Sequence, residues 1–406
     1  MRRLILLTVI GLLTLSPVVA QQLRLEVSNP TTEYREQILE LPLDSIMQQL
    51  HLTTTDSLRV CDAAGLDVPF QATFDGKLLV EAAVRKGGVA SFTLKKGPHP
   101  VFPMLCHGRL HPERKDDFAW ENDRGAYRVY GPALERTHER SFGIDVWTKN
   151  TPDLVVDDRY YIEDVVMMPK VDSLRRVNRQ RGDSLYRINS YHHDHGRGLD
   201  PYRVGASLGC GAPALMVGDS LVMPYCFERY EVLDEGPLRF SVRFEQSPRM
   251  VCDQRIVENR LVTLDKGSNF CKMEVWYVGT TRLSKQLAKT NPAKTVTLCS
   301  GVVLQPEDRR SYQLGNNFVS YTDPTDQPNL HQAPLYVAVL FPNGKVATRH
   351  QSNHVLGILT DYDFKPYTYY FGSAWAKYDV RTEDEWQSRI QWFLRSVKKP
   401  LQWNLR

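Results

Sequence analysis

Short apolar runs broken by turn dipeptides fill the first quarter of the chain. In "SLRVCDAAGLDVPFQATFDGKLLVEAAV" (57–84) the breaks are "AAG" and "DGK", both hairpin-type turns, and "VASFTLKKG" (89–97) continues the pattern. "PLDSIMQQL" is the exception: Ile46, Met47 and Leu50 fall on one helical face behind an Asp44 or Ser45 cap. "GPHPVFP" (97–103) reads as a linker. Beyond it the runs lengthen and alternate. "GAYRVYGPAL", "GIDVWTK", "LVMPYCFERYEVL", "LRFSVRFE", "NRLVTLD", "FCKMEVWYVG" and "LYVAVLF" are rich in β-branched and aromatic residues, with turns such as "LDEGP" and "LDKGSN" between them. So many strands over one long segment require two large stacked antiparallel sheets. The last periodic segment changes period. In "RTEDEWQSRIQWFLRSVKKPL", Thr382 and Glu385 form a capping box, Trp386, Ile390, Phe393 and Val397 recur at helical spacing, and Pro400 stops the helix.

The pattern therefore predicts an all-β protein. A small N-terminal β domain (21–105) is followed by a large antiparallel sandwich (106–380) and an amphipathic C-terminal helix packed on a sheet (381–406). No βαβ rhythm and no glycine-rich loop opening a helix is present, which excludes the nucleotide-binding folds.

Composition changes the picture at three points. "MRRLILLTVIGLLTLSPVVAQQ" has two arginines, an apolar run and small residues ending at Ala20, so residues 1–20 are expected to be a signal peptide and the mature chain periplasmic or secreted, with no membrane anchor after cleavage. Net charge is +4 with no basic tail, which speaks against nucleic acid as a partner. Seven cysteines in an oxidising compartment leave room for one or two disulfides, but none forms C-x-x-C, and buried free thiols are the expected state.

Two stretches concentrate chemistry. In "FAWENDRGAYRVYGPAL" (118–134), extended backbone places Arg124, Arg128 and Tyr130 on one face, with Gly125, Tyr127 and Val129 on the other. Two guanidinium groups on one face suit an anion such as a carboxylate, and Trp120 is placed to stack on a sugar ring. The alternative is ordinary ion pairing with Glu121 and Asp123. In "INSYHHDHGRGLDPYRVG" (188–205), three histidines lie within four positions. His193 or His195 is placed as a base, Tyr191 or Tyr202 as an acid, and Asp200 as a contact to substrate. No cofactor is expected. A divalent metal on His193 and His195 with a carboxylate such as Asp200 remains an alternative, as does a solvated loop. "DVWTKN" (145–150) either lines a cleft or caps strands, and "DDRYY" (157–161) is expected to cap strands. "YDFKPYTYYFGSAWAKYD" (362–379) is either a sugar platform or a core strand.

Together, "FAWENDRGAYRVYGPAL", "GIDVWTK", "YHHDHGRGLDPYRVGASLGCG" and "YYFGSAW" followed by the "EDEW" helix resemble an uncharacterised family of exported proteins from saccharolytic Gram-negative bacteria that carries a domain-of-unknown-function label. The resemblance spans nearly the whole mature chain. It implies a galactose-mutarotase-like β-supersandwich and a setting of pectin and other uronate-rich glycans, and it supplies no catalytic residues. With the residues above, the expectation is an enzyme acting on uronic-acid-containing oligosaccharides, by β-elimination: Arg124 and Arg128 neutralise the uronate, a histidine takes the proton, a tyrosine protonates the leaving oxygen. Glycoside hydrolysis by two carboxyl groups, with Asp194 and Asp200 available, a mutarotase-like isomerisation, or glycan binding without catalysis are the alternatives.

Overall fold

The computed structural model describes residues 21–280, 296–327, 333–360 and 362–406. The expected signal peptide lies outside the described residues.

Two antiparallel sheets stack to form the sandwich. The larger runs, in hydrogen-bonded order, through Phe227–Asp234, Arg239–Gln246, Gln254–Asp265, Phe270–Val278, Tyr367–Trp375, Leu335–Leu340, Phe318–Asp323 and Tyr312–Leu314, with Arg249–Val251 paired to the third of these. The smaller runs through Ser220–Val222, Cys210–Val217, Val296–Val303, His354–Leu359 and Val346–Gln351. One continuous apolar core lies between them. The strand Leu335–Leu340 shows why its sequence is apolar throughout. Leu335, Val337 and Val339 face that core, while Tyr336, Ala338 and Leu340 pack beneath the C-terminal helix Glu383–Lys398 with Trp386, Ile390 and Leu394. A strand covered on both faces loses its alternation. The helix is capped by Thr382, whose Oγ1 accepts from the Glu385 amide at 3.2 Å; the Glu385 carboxylate reaches back one residue further than a capping box, to the Arg381 amide. The all-β sandwich with a C-terminal helix is thus the observed architecture.

At the N-terminus, four-stranded and three-stranded sheets enclose a separate apolar core that includes Leu25, Leu41, Ile46 and Leu94. The four-stranded sheet takes its edge strand from the other end of the chain: Gln402–Leu405 pairs with Gln22–Ser28, placing Trp403 opposite Val27. All seven cysteines are free, and all but Cys252 are buried.

A further four-stranded sheet (His107–His111, Asp117–Glu121, Ala126–Val129, Asp145–Trp147) turns one face to the sandwich core with Phe118, Trp120, Tyr127, Val129 and Val146. Its other face is covered by a helical excursion that overturns the strand-capping expectation for "DDRYY". Val156–Tyr160 is α-helical, Tyr161–Met167 continues as a π-helix, and the helices Met168–Val177 and Arg179–Asn189 form a hairpin. The cause is local. The Glu121 carboxylate accepts the Val155 and Val156 amides at 2.8 Å, satisfying donors that a helix N-terminus leaves open, and Asp157 and Asp158 complement the positive end of the helix. Glu121 is itself paired with the buried Lys149 ammonium at 2.6 Å.

Candidate active site

The covered face of that sheet carries a cluster of buried charge. Alternation puts Asp117, Ala119 and Glu121 of one strand, Ala126 and Arg128 of the next, and Asp145 and Trp147 of the third on the same side. Register sets Asp145 opposite Arg128 on one flank and Ala119 opposite Arg128 on the other, so small alanines leave room for the guanidinium. Arg128 Nη2 contacts Asp145 Oδ2 and, at 2.9 Å, Asp200 Oδ2; Nη1 reaches Asp117 Oδ2 at 3.4 Å. Its plane lies over the rings of Tyr130 and Trp147, at 5.3 and 5.2 Å. Arg128 is 6% exposed, and Asp117, Asp145 and Asp200 are 1%, 0% and 1% exposed.

Three carboxyl groups share one cation, and burial works against the ionised forms of Asp117 and Asp145. Desolvation pushes Asp145 up to about 8, with the neighbouring Asp200 adding to the shift against the pull of Arg128. Desolvation likewise raises Asp117 to about 6, opposed by Arg128 and Arg114. Burial thus favours the protonated form of both, and of Asp145 more than of Asp117. One oxygen of each of the three (the Oδ1 atoms) has no protein partner.

The histidine-rich loop forms part of the roof. Asp200 donates its amide to the Tyr191 carbonyl at 2.9 Å, and the Tyr191 ring packs on Trp147 and Tyr160 at 4.8 and 5.8 Å. Tyr191 is anchored twice more: its amide donates to Glu163 of the π-helix at 2.6 Å, and its hydroxyl accepts from Arg114 Nε at 3.1 Å. Gly198 fixes where the loop crosses the sheet. Its φ is +101°, and a Cβ there would stand 2.2 Å from the Thr148 carbonyl oxygen. Gly198→Ala is expected to lower stability by about 1–3 kcal/mol, read as a shifted urea midpoint, because both the left-handed backbone and the close approach are lost. An unchanged midpoint would mean the loop does not rest on Thr148.

A second polar group adjoins the first. Tyr160 donates its hydroxyl to Asp117 at 3.3 Å and stacks on the buried His111 ring at 3.9 Å. Burial lowers the His111 pKa to about 4, so it is neutral. His107, hydrogen-bonded to Asp157 and against burial, is raised to about 9 and is charged; Asp157, despite burial, is held down to about 2 by His107 and Arg109.

The structure redistributes the residues singled out from sequence. Arg128 and the histidine loop do meet, through Asp200. Arg124 does not join them. It sits in the turn before the strand, where Asn122 Oδ1 accepts its amide, so strand alternation does not extend to it; its guanidinium donates to Gly267 O and Asp379. The paired-arginine anion receptor is therefore not formed, and both terminal nitrogens of Arg128 are already engaged by carboxyl groups. Trp120 is a core residue, stacked on Tyr127 and aimed at Cys271, with no face open to a sugar. Tyr202 is buried in the sandwich core. His193 and His195 line a pocket of about 170 Å³ with Tyr191, Arg159 and Arg197. The His195 Nε2 atom bonds the Ser190 carbonyl at 2.9 Å, and burial with the neighbouring histidines lowers the His193 pKa. With Asp200 engaged by Arg128, the His193–His195–Asp200 metal set is not assembled, and among the described residues no group of three or more His, Cys, Asp or Glu side chains is arranged to hold a metal ion. Sequence reasoning passed over Asp117 and offered Asp145 only within "DVWTKN" (145–150), as a stretch that either lines a cleft or caps strands. The signal for Asp145 was the alternation of "DVWTK", which puts Asp145, Trp147 and Lys149 on one face.

Comparison with other proteins gives the chain its relatives. The Uncharacterized protein P7 of Formosa agariphila is 28% identical over 313 residues, which is 74% of this chain and 69% of the relative. Two crystal structures from Enterococcus faecalis, a protein in the glycosyl hydrolase family 38 and an alpha-mannosidase, each align with 95% of this chain at 10% identity, with TM-scores of 0.44 and 0.46. The chain spans a little under half the length of each of these two. A family model matches residues 27–402, and the chain belongs to that family, the domain of unknown function DUF4861.

Proposed function

We propose that this protein is an exported carbohydrate-active enzyme that cleaves glycosidic bonds with two carboxyl groups, Asp145 as the proton donor and Asp200 as the facing carboxylate. The observation that carries this reading is that Asp145 and Asp200 both contact Arg128 Nη2. Two oxygens sharing one nitrogen can lie no more than about 6 Å apart by hydrogen-bond lengths alone, an upper bound that admits the roughly 5–5.5 Å separation of retaining glycosidases and leaves out most of the wider range of inverting ones. A protonated carboxyl beside a carboxylate is the division of labour such cleavage needs. Arg128 holds the pair in register, and Asp117 balances its charge. Elimination next to a uronate loses its support, because neither Arg124 nor Arg128 is free to take the substrate carboxylate.

The carboxyl groups are covered in this conformation, so substrate entry requires the loop 191–202, which carries Asp200, to lift from Trp147 and Thr148. The reading is tested by incubating the mature protein with plant and algal glycans and following products by mass spectrometry. Hydrolysis is expected to add one water per bond cut. Products lighter by one water, with the ultraviolet absorbance of an unsaturated uronate, would replace hydrolysis by elimination. Binding without any product would reduce the protein to a glycan-binding role.

A further inference from the structure

A cleft of about 1200 Å³ whose lining includes none of Asp117, Arg128, Asp145 and Asp200 lies between the N-terminal strand Arg35–Pro42, the outer face of the larger sandwich sheet and the helix Glu383–Lys398. Ligand pockets occupy about 300–1000 Å³, so this one has room for several sugar rings in a row. Its lining holds seven basic and seven acidic side chains, and many are already neutralised in pairs. Arg239 bridges Asp265 and Glu40, Lys266 meets Glu81 at 2.5 Å, and Arg124 is spent on Asp379. The walls are thus polar yet close to electroneutral, which suits an uncharged ligand rich in hydroxyl groups and disfavours a polyanion or a basic peptide. Aromatic rings stand at the rim and along one wall. Tyr34 is 54% exposed and Trp403 is 40% exposed, while Trp392 lies deeper with Arg35 over its ring at 5.6 Å. Flat apolar faces beside hydroxyl-bonding groups are what the C–H face and the edge of a neutral sugar ring require.

We infer that this cleft binds a neutral oligosaccharide of several residues, with sugar rings resting on Tyr34 and Trp403, as a holding site separate from the Arg128 cluster. The proposal does not depend on any bond being cut. Trp403 belongs to the strand that joins the chain's two ends, so the site exists only when the C-terminal segment is docked on the N-terminal sheet.

The experiment titrates the mature protein with hexasaccharides of glucose, mannose, galactose and xylose, reading tryptophan fluorescence and heat. At least one is expected to bind, and a Tyr34→Ala, Trp403→Ala double variant is expected to bind it at least tenfold more weakly. Asp145→Asn is expected to bind it as the wild type does, which separates failure here from failure of the catalytic reading. Both substituted rings are exposed, so the double variant should keep its urea midpoint. Hydrogen exchange supplies the second readout: saturation is expected to slow exchange in 35–42 and 388–397. No binding by any of the four at millimolar concentration, binding untouched by the double variant, or preference for a hexauronate over all four would each overturn the proposal.

Discussion

Arg128→Met is expected to cost about 3–5 kcal/mol of folding stability at pH 7.5, the range for removing one partner of a buried ion pair. The cation serves Asp117, Asp145 and Asp200 at once, and none of the three has solvent to fall back on. The sign with pH follows from the direction of the shifts. A carboxyl whose folded pKa is raised binds more protons folded than unfolded, so its contribution is fully present below about 3.9 and is lost as pH rises through the folded value. Asp117 at about 6 and Asp145 at about 8 already act this way in the wild type. Without the guanidinium, which opposes both shifts, Asp117 and Asp145 should move further up, so the deficit should be larger at pH 8 than at pH 5. Urea midpoints at the two pH values, with unchanged slope, measure it. Asp145→Asn placed in the Arg128→Met background should recover part of the loss, since one of the crowded acids is then permanently neutral. Equal deficits at both pH values would show that Arg128 matters only for packing over Tyr130 and Trp147.

How much of this was readable beforehand depends on whether a segment's partners are local. The alternation around Arg128 was, because a strand's two faces are set by its own residues, and the side shared by Ala126 and Arg128 came out as the polar one. The C-terminal helix was, because Thr382, its apolar stripe and Pro400 all act within the segment. The excursion 156–189 was not. "RQRGDSLYRIN" has no apolar stripe of its own, and its helical state rests on Asn178 capping Arg181, on Arg175 paired with Asp183, and on Glu121, thirty-four residues upstream, at the start of the excursion. Nor could pattern show that Trp120 and Tyr202 are core, since an aromatic followed by polar residues reads the same on either side of a sheet. The acid cluster is hardest of all. Asp117, Asp145 and Asp200 come from two strands and a loop, and only the folding of the helices over the sheet brings the last to the first two. The histidines drew the eye in sequence, yet the group the loop delivers to Arg128 is Asp200, five residues beyond the last of them, with His192 Nδ1 against the Asp200 carbonyl oxygen at 2.9 Å.

Asp145→Asn should leave the fold standing and remove about 10²–10⁴ of the turnover on natural glycans, the usual worth of a positioned general acid. Asparagine has the shape of the protonated carboxyl that the wild type holds at pH 7, so the urea midpoint there should move little, and above pH 8 the variant should be the more stable protein because no charge can form at that position. Two kinetic signatures separate an acid from a mere scaffold. Wild-type turnover should fall as pH rises through about 8, where Asp145 gives up its proton, and this limb belongs to the carboxyl cluster as a whole. The variant should lose that limb. The second signature is the leaving group. A sugar alkoxide needs a proton to depart and a nitrophenolate does not, so Asp145→Asn should impair cleavage of an oligosaccharide far more than cleavage of the matching nitrophenyl glycoside. Equal losses on both substrates would remove Asp145 from the proton-donor role and leave it as a partner of Arg128 alone.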